Sequence, residues 1–167
     1  MILQSERLTI ESLDYDDADF IIALMNTPGW LRYIGDRNMH DHPAARAYID
    51  DQRQYNEKAP MGMYAIRLNN TGDVIGICGI LQRDYLQVPD IGFALLPEYH
   101  RRGYAREACH MLMDFYWSQG RGQLLGITSP DNIASQQLLL TLGFERSTEV
   151  VSSRDLAIFE IHKRYKG

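Results

Sequence analysis

In the stretch EYHRRGYAREAC, Glu98 to Cys109, four basic side chains, His100, Arg101, Arg102 and Arg106, crowd around Gly103. Apolar residues at helical spacing begin just beyond it, so a helix opens here whose first backbone N–H groups lack intrahelical partners. Those groups, reinforced by the helix dipole, suit a compact polyanion. Gly103 lets the backbone approach closely, Ala105 is too small to cover the helix end, and the guanidiniums can meet phosphate oxygens. The loop alone fits equally a solvated basic segment neutralised by Glu98 and Glu107. It lacks the G-K-S/T of a nucleoside-triphosphate loop and the G-x-G-x-x-G of a dinucleotide fold.

The elements that must hold this loop follow from periodicity. Arg7 to Leu13 alternates as a strand, and Asp14 or Asp16 can cap a helix carrying Ala18, Ile21, Ile22 and Met25, which Pro28 and Gly29 stop. Trp30 to His42 reads as irregular, and Pro43 opens a helix to about Tyr55. Met63 to Leu68 and Val74 to Leu81 form a hairpin around Asn69 to Asp73, and Val88 to Leu96 is the next strand. The amphipathic helix from Gly103 to Ser118 then leads to a strand at Leu124 to Thr128. A helix from Ile133 to Leu142 ends at Gly143, and strands at Phe144 to Val151 and Leu156 to His162 flank a turn at Ser152 to Asp155. A meander followed by β-α-β makes an α/β architecture with a mixed sheet covered by helices, in which the strands at 88–96 and 124–128 run parallel.

A length of 167 residues, 45% of them hydrophobic, suits one globular domain spanning residues 1–167. Seventeen basic and twenty-two acidic residues, a net charge of −5, argue against nucleic acid or an anionic membrane as partner. The N-terminus lacks a signal-peptide run and no stretch reaches the ~20 apolar residues of a membrane span, so a cytoplasmic protein is expected. Cys78 and Cys109 read as reduced core thiols. His40 and His42 around Asp41 make too sparse a set for a metal site, and none is expected. Trp30, Tyr33, Tyr48 and Tyr55 fit core packing or the wall of a pocket.

The run DIGFALLPEYHRRGYAREA from Asp90, followed by SPDNIASQQLLLTLGF from Ser129 to Phe144, resembles the GCN5-related N-acetyltransferase (GNAT) superfamily, and most closely its branch of ribosomal-protein N-terminal acetyltransferases. The resemblance covers residues 7 to 162 in element order. It implies an acyl-CoA N-acyltransferase fold with a central, mostly antiparallel sheet flanked by helices, and acetyl-CoA as cofactor. Gly103 and Ala105 match the family's two small pyrophosphate-loop positions. His100 stands where Gln or Arg is usual, and Arg101, Arg102, Tyr104 and Arg106 fill the remaining positions. Gly92-Phe93-Ala94-Leu95 matches the strand whose backbone pairs with pantetheine and offers an N–H to the thioester oxygen.

Asn132 matches the family's helix-opening asparagine, able to cap the helix or to hydrogen-bond an amide-bearing ligand, and Ser135 its small hydroxylated position. Many relatives carry a tyrosine acid further along this helix, where Leu138, Leu139 and Leu140 stand here. The resemblance therefore implies Ser135, or water, as the group that supports the departing thiolate. Asp90 matches an acidic position before the glycine and shares a face with Gly92 by strand alternation, which makes it the named candidate base beside the alternatives of a surface charge or a loop contact. The implied reaction is attack by a neutral primary amine, of a protein or peptide N-terminus or of a small molecule, on the acetyl carbonyl. A non-catalytic acyl-CoA-binding module and, less favoured by charge, a nucleic-acid binder are the alternatives. The terminal strands leave edges through which a homodimer can form.

Overall fold

Alternation along β2 (Leu8–Glu11) sends Leu8 and Ile10 into the interior and leaves Thr9 and Glu11 half-buried, which makes the strand a sheet member covered on one face. The structure, a computed structural model, describes residues 1–58, 60–148 and 155–163. Among the described residues eight strands form one sheet: β1 (Leu3–Gln4), β2, β3 (Gly62–Leu68), β4 (Val74–Leu81), β5 (Asp90–Leu95), β6 (Gln123–Thr128), β8 (Ala157–His162) and, at the far edge, β7 (Glu145–Arg146). Every neighbouring pair is antiparallel except β5 and β6.

Helices cover both faces. Tyr64 and Ile66 of β3 pack with α4 (Tyr104–Ser118) and α5 (Ile133–Thr141) through Ala108, Cys109, Leu112 and Leu139. Met63 and Ala65, the alternate residues, face α1 (Ala18–Met25) and α3 (His42–Asn56) through Ile21, Leu24 and Ile49. Gly126 of β6 lies directly beneath Leu139, so α5 rests close on the sheet. Cys78 and Cys109 are free and buried, and burial pushes the Cys78 thiol up to about 12, which leaves it protonated and inert.

The mixed sheet, the 69–73 hairpin and the parallel β5–β6 pair agree with the sequence reading. Three elements differ. α1 ends at Met25, ahead of Pro28 as expected, but Pro28 also opens a further helix, α2 (Pro28–Tyr33), which runs into the segment read as irregular from Trp30: Thr27 accepts from the Trp30 amide at 3.4 Å, and proline at the first position forfeits only an N–H that would have no helical partner. Strand β1 is too short to show a period. The strand expected from Phe144 to Val151 is seen at Glu145–Arg146, and residues 149–154, including most of the turn beyond it, lie outside the described residues.

Candidate active site

Strands β5 and β6 pair only at Asp90–Leu125 and Ile91–Gly126, whereas β5 stays paired with β4 as far as Leu95. Beyond Ile91 the two parallel strands splay. Two hydrogen bonds fix which backbone groups face the gap. The Leu96 amide donates to Ile75 of β4 at 2.9 Å, and the Leu125 amide of β6 donates to Pro89 at 2.9 Å. Because N–H and C=O directions alternate along a strand, the odd residues, Phe93 and Leu95, turn their backbone groups toward the gap and Gly92 and Ala94 turn theirs toward β4. His100 donates from Nε2 to the Leu95 carbonyl at 2.9 Å. The Phe93 amide and carbonyl are thus the strand's exposed polar pair at the splay.

The Gly103 loop closes one end of this gap. Gly103 has φ +79° and caps α4 with no side-chain hydrogen bond to the first turn, whose first intrahelical donor is Glu107, bonded to the Gly103 carbonyl at 3.0 Å. The amides of Tyr104, Ala105 and Arg106 therefore have no helical acceptor. Arg101 also takes a left-handed conformation, φ +59°, a strain of about 1–2 kcal/mol in a residue with a side chain. The loop is clamped from behind: Ser5 donates to Glu107 Oε1 at 2.6 Å, Arg7 Nε to Oε2 at 2.7 Å, and Arg7 Nη1 to the Arg102 carbonyl at 3.0 Å. Burial alone would raise the Glu107 carboxyl, but the Ser5 and Arg7 bonds outweigh it and hold the carboxyl below its ordinary range.

Two clefts meet at the splay. The larger, about 690 Å³, runs from α2 along Phe93–Leu95 to His100, Arg101 and the Gly103–Arg106 turn, with Asn132, Ser135 and Leu138 opposite. The smaller, about 240 Å³, lies toward Arg37, Arg83, Tyr85 and Asp90. Trp30, Tyr33, Ile34, Phe93, Ala94, Asn132 and Ser135 border both, so this ring is the passage between them. Asn132 Oδ1 accepts from the Ser135 amide at 3.2 Å, which caps α5 and holds the pair in the passage. Ser129 donates from Oγ to the Tyr33 carbonyl at 3.2 Å and ties the loop before α5 to α2.

A family model described as an acetyltransferase (GNAT) domain matches residues 7–145. The chain belongs to the GNAT acetyltransferase family. Among curated relatives, the uncharacterized N-acetyltransferase YoaA of Bacillus subtilis is 29% identical, with 87% of this chain and 83% of YoaA covered, and the uncharacterized N-acetyltransferase p20 of Bacillus licheniformis is 27% identical over 99% and 98%. Among solved structures, an acetyltransferase from Agrobacterium tumefaciens superposes with a TM-score of 0.84 at 24% identity, covering 98% of this chain and 95% of its own. RimL, a ribosomal L7/L12 alpha-N-protein acetyltransferase solved in complex with coenzyme A, superposes at 0.81 and 15% identity, covering 97% and 98%. At these identities the superpositions show a shared GNAT fold.

Within this GNAT acetyltransferase the residues singled out from sequence fall into groups. Phe93, Ala94, Leu95, His100, Arg101, Gly103, Tyr104, Ala105, Arg106, Asn132 and Ser135 line the larger cleft, and Arg102 does not: its guanidinium lies 5.9 Å over the Tyr99 ring. Glu107 neutralises Arg7 rather than the loop arginines, and Arg101 and Arg106 form no ion pair among the described residues. The Nε2–H of His100 is spent on the Leu95 carbonyl, so that donor is not free for an anion.

Asp90 is not a surface charge. It is 1% exposed, and both its oxygens meet Arg83, at 2.8 and 3.2 Å. Burial raises its carboxyl and Arg83 offsets this only in part, so it is more basic than an ordinary aspartate. His40 and His42 meet Asp36 and Asp19 separately. Trp30 and Tyr33 line both clefts, Tyr48 packs against the α1–α3 core, and Tyr55 is exposed. Sequence reasoning missed Arg37, Arg83 and the Arg7 clamp. Arg83 lies in a loop without periodicity, and the Arg7–Glu107 pair is 100 residues apart in the chain, so neither leaves a local signal.

Proposed function

We propose that the protein transfers the acetyl group of acetyl-CoA to a primary amine, at a peptide or protein N-terminus or on a small molecule. The observation that carries the reading is the splay, where the outward backbone of Phe93 sits in the passage joining a long basic-ended cleft to a smaller one. The larger cleft fits the cofactor: unsatisfied amides at residues 104–106 with Arg101 and Arg106 for a diphosphate, and the free edge of β5 for an amide-bearing arm. Acetyl-CoA supplies an activated thioester. The Phe93 N–H is a preorganised donor for negative charge on an acyl oxygen, the kind of contact that dominates acyl-transfer catalysis.

Ser135, held in the passage by Asn132, donates a hydrogen bond toward a departing thiolate. Asp90 takes the proton from an incoming ammonium at the wall of the smaller cleft, where it is the one carboxylate among the described lining residues. RimL, with its ribosomal N-terminal acceptor, supports the N-terminal amine as one acceptor class. The test is thiol release from acetyl-CoA with a mixed panel of peptides and small amines, with mass detection of the product. An acetylated amine is expected. Coenzyme A binding without thiol release from any acceptor would make the protein an acyl-CoA-binding module instead.

A further inference from the structure

The smaller cleft carries a charge that acetyl transfer does not require. Its described walls hold two cations, Arg37 and Arg83, and one anion, Asp90. Asp90 gives both oxygens to Arg83, so that pair is internally neutral and one positive charge is left over. The surplus is on Arg37, whose exposed side chain makes no ion pair or hydrogen bond among the described residues. The neighbouring acids face other partners: Asp36 accepts from the Asn38 amide at 2.7 Å, with His40 3.8 Å away, and Asp131, on the other cleft, pairs with Arg32. Nor does the nearby Tyr48 supply a counter-charge, because burial drives its hydroxyl far above the ordinary tyrosine range despite Arg37.

An amine reaches such a cleft as an ammonium, which one uncompensated guanidinium repels. An acceptor carrying its own anion removes the conflict. Its negative group pairs with Arg37, and the field of the cation lowers the pKa of the amine, favouring the neutral nucleophile. A space of about 240 Å³ matches an amino-acid-sized molecule rather than a folded partner. Resting on the acetyl-transfer reading above, we infer that Arg37 selects small primary amines bearing a carboxylate or phosphate a few bonds from the nitrogen.

The experiment compares, with acetyl-CoA, free amino acids against their α-carboxamides, and phosphoethanolamine against ethanolamine. The two arms tell a carboxylate source from a phosphate source. In the parent protein kcat/KM favours the anionic member of at least one pair by about tenfold or more, the worth of a charge-assisted bond. In Arg37→Gln the ratio collapses toward one, and in Arg37→Glu it inverts, while both variants keep the parent affinity for coenzyme A and so report an intact fold. Equal use of both members by the parent, or an unchanged ratio in Arg37→Gln, overturns the inference. If no amine releases thiol, the acetyl-transfer reading fails, and calorimetry with the same compounds decides this one separately. Arg37-dependent binding of the anionic amines upholds it, and its absence overturns it.

Discussion

Replacing Gly103 by glutamate separates backbone strain from ligand electrostatics, because the chain holds its own control in Gly120. Both glycines have nearly the same left-handed φ, +79° and +77°, at opposite ends of α4, and of the two only Gly103 lines the larger cleft. Any side chain at either site costs about 1–2 kcal/mol of backbone strain. At Gly103 the new Cβ meets only Arg7 Nη2 at 3.4 Å, and at Gly120 it meets nothing within 4 Å, so neither variant is crowded. Both should lose a few degrees of Tm, at roughly 2–4 °C per kcal/mol for a chain of this size. At Gly103 alone the carboxylate also faces the diphosphate. One like-charge pair at contact costs about 1 kcal/mol even at the dielectric of water, so two phosphate charges cost about 2 kcal/mol, close to a thirtyfold rise in Kd. Calorimetry with coenzyme A should show that rise for Gly103→Glu and none for Gly120→Glu. Parent affinity in Gly103→Glu, or an equal loss in both variants, would refute the assignment of the α4 N-terminus as the anion site.

Ser135→Ala should lower kcat by about tenfold, the worth of one hydrogen bond near 1.4 kcal/mol, while coenzyme A affinity stays near parent; steady-state kinetics beside calorimetry checks the split. Asp90→Asn should lower turnover by about a hundredfold and remove the acid limb of the pH–rate profile, because its raised carboxyl is the group that must lose a proton. A lower rate with an unmoved profile would leave Asp90 only the task of holding Arg83. Glu107→Gln should destabilise the protein by about 1 kcal/mol at pH 7, seen as a drop of a few degrees in Tm. Since the folded carboxyl lies below its ordinary 4.5, that stability is present above pH 4.5 and is lost as pH falls through the folded value. Melting curves of parent and variant should therefore converge in acid.

Where local pattern and tertiary role coincide, the sequence was enough. The broad apolar face of α4, the hairpin at Asn69–Asp73 and the crossover from β5 through α4 to β6 are all set by short-range periodicity. The grouping of Phe93, Gly103, Ala105 and Asn132 was implied by the family resemblance rather than by any period, and the structure places all four along one cleft. The helix at Pro28–Tyr33 was missed because proline is compatible both with the stop of one helix and the first turn of the next, and the capping hydroxyl of Thr27 is what starts the second. The Arg83–Asp90 pair depends on how the β4–β5 loop folds back over its own strand. Arg102 turns away onto Tyr99 while its neighbours line the cleft, a divergence set by the left-handed backbone at Arg101 that no residue pattern announces.

The most direct measurement is a crystal structure of the protein with acetyl-CoA. The account predicts the diphosphate on the amides of residues 104–106 and the thioester oxygen about 3 Å from the Phe93 nitrogen, with Ser135 beside the sulfur. A cofactor bound outside the β5–β6 splay, or a thioester out of reach of the Phe93 amide, would contradict it.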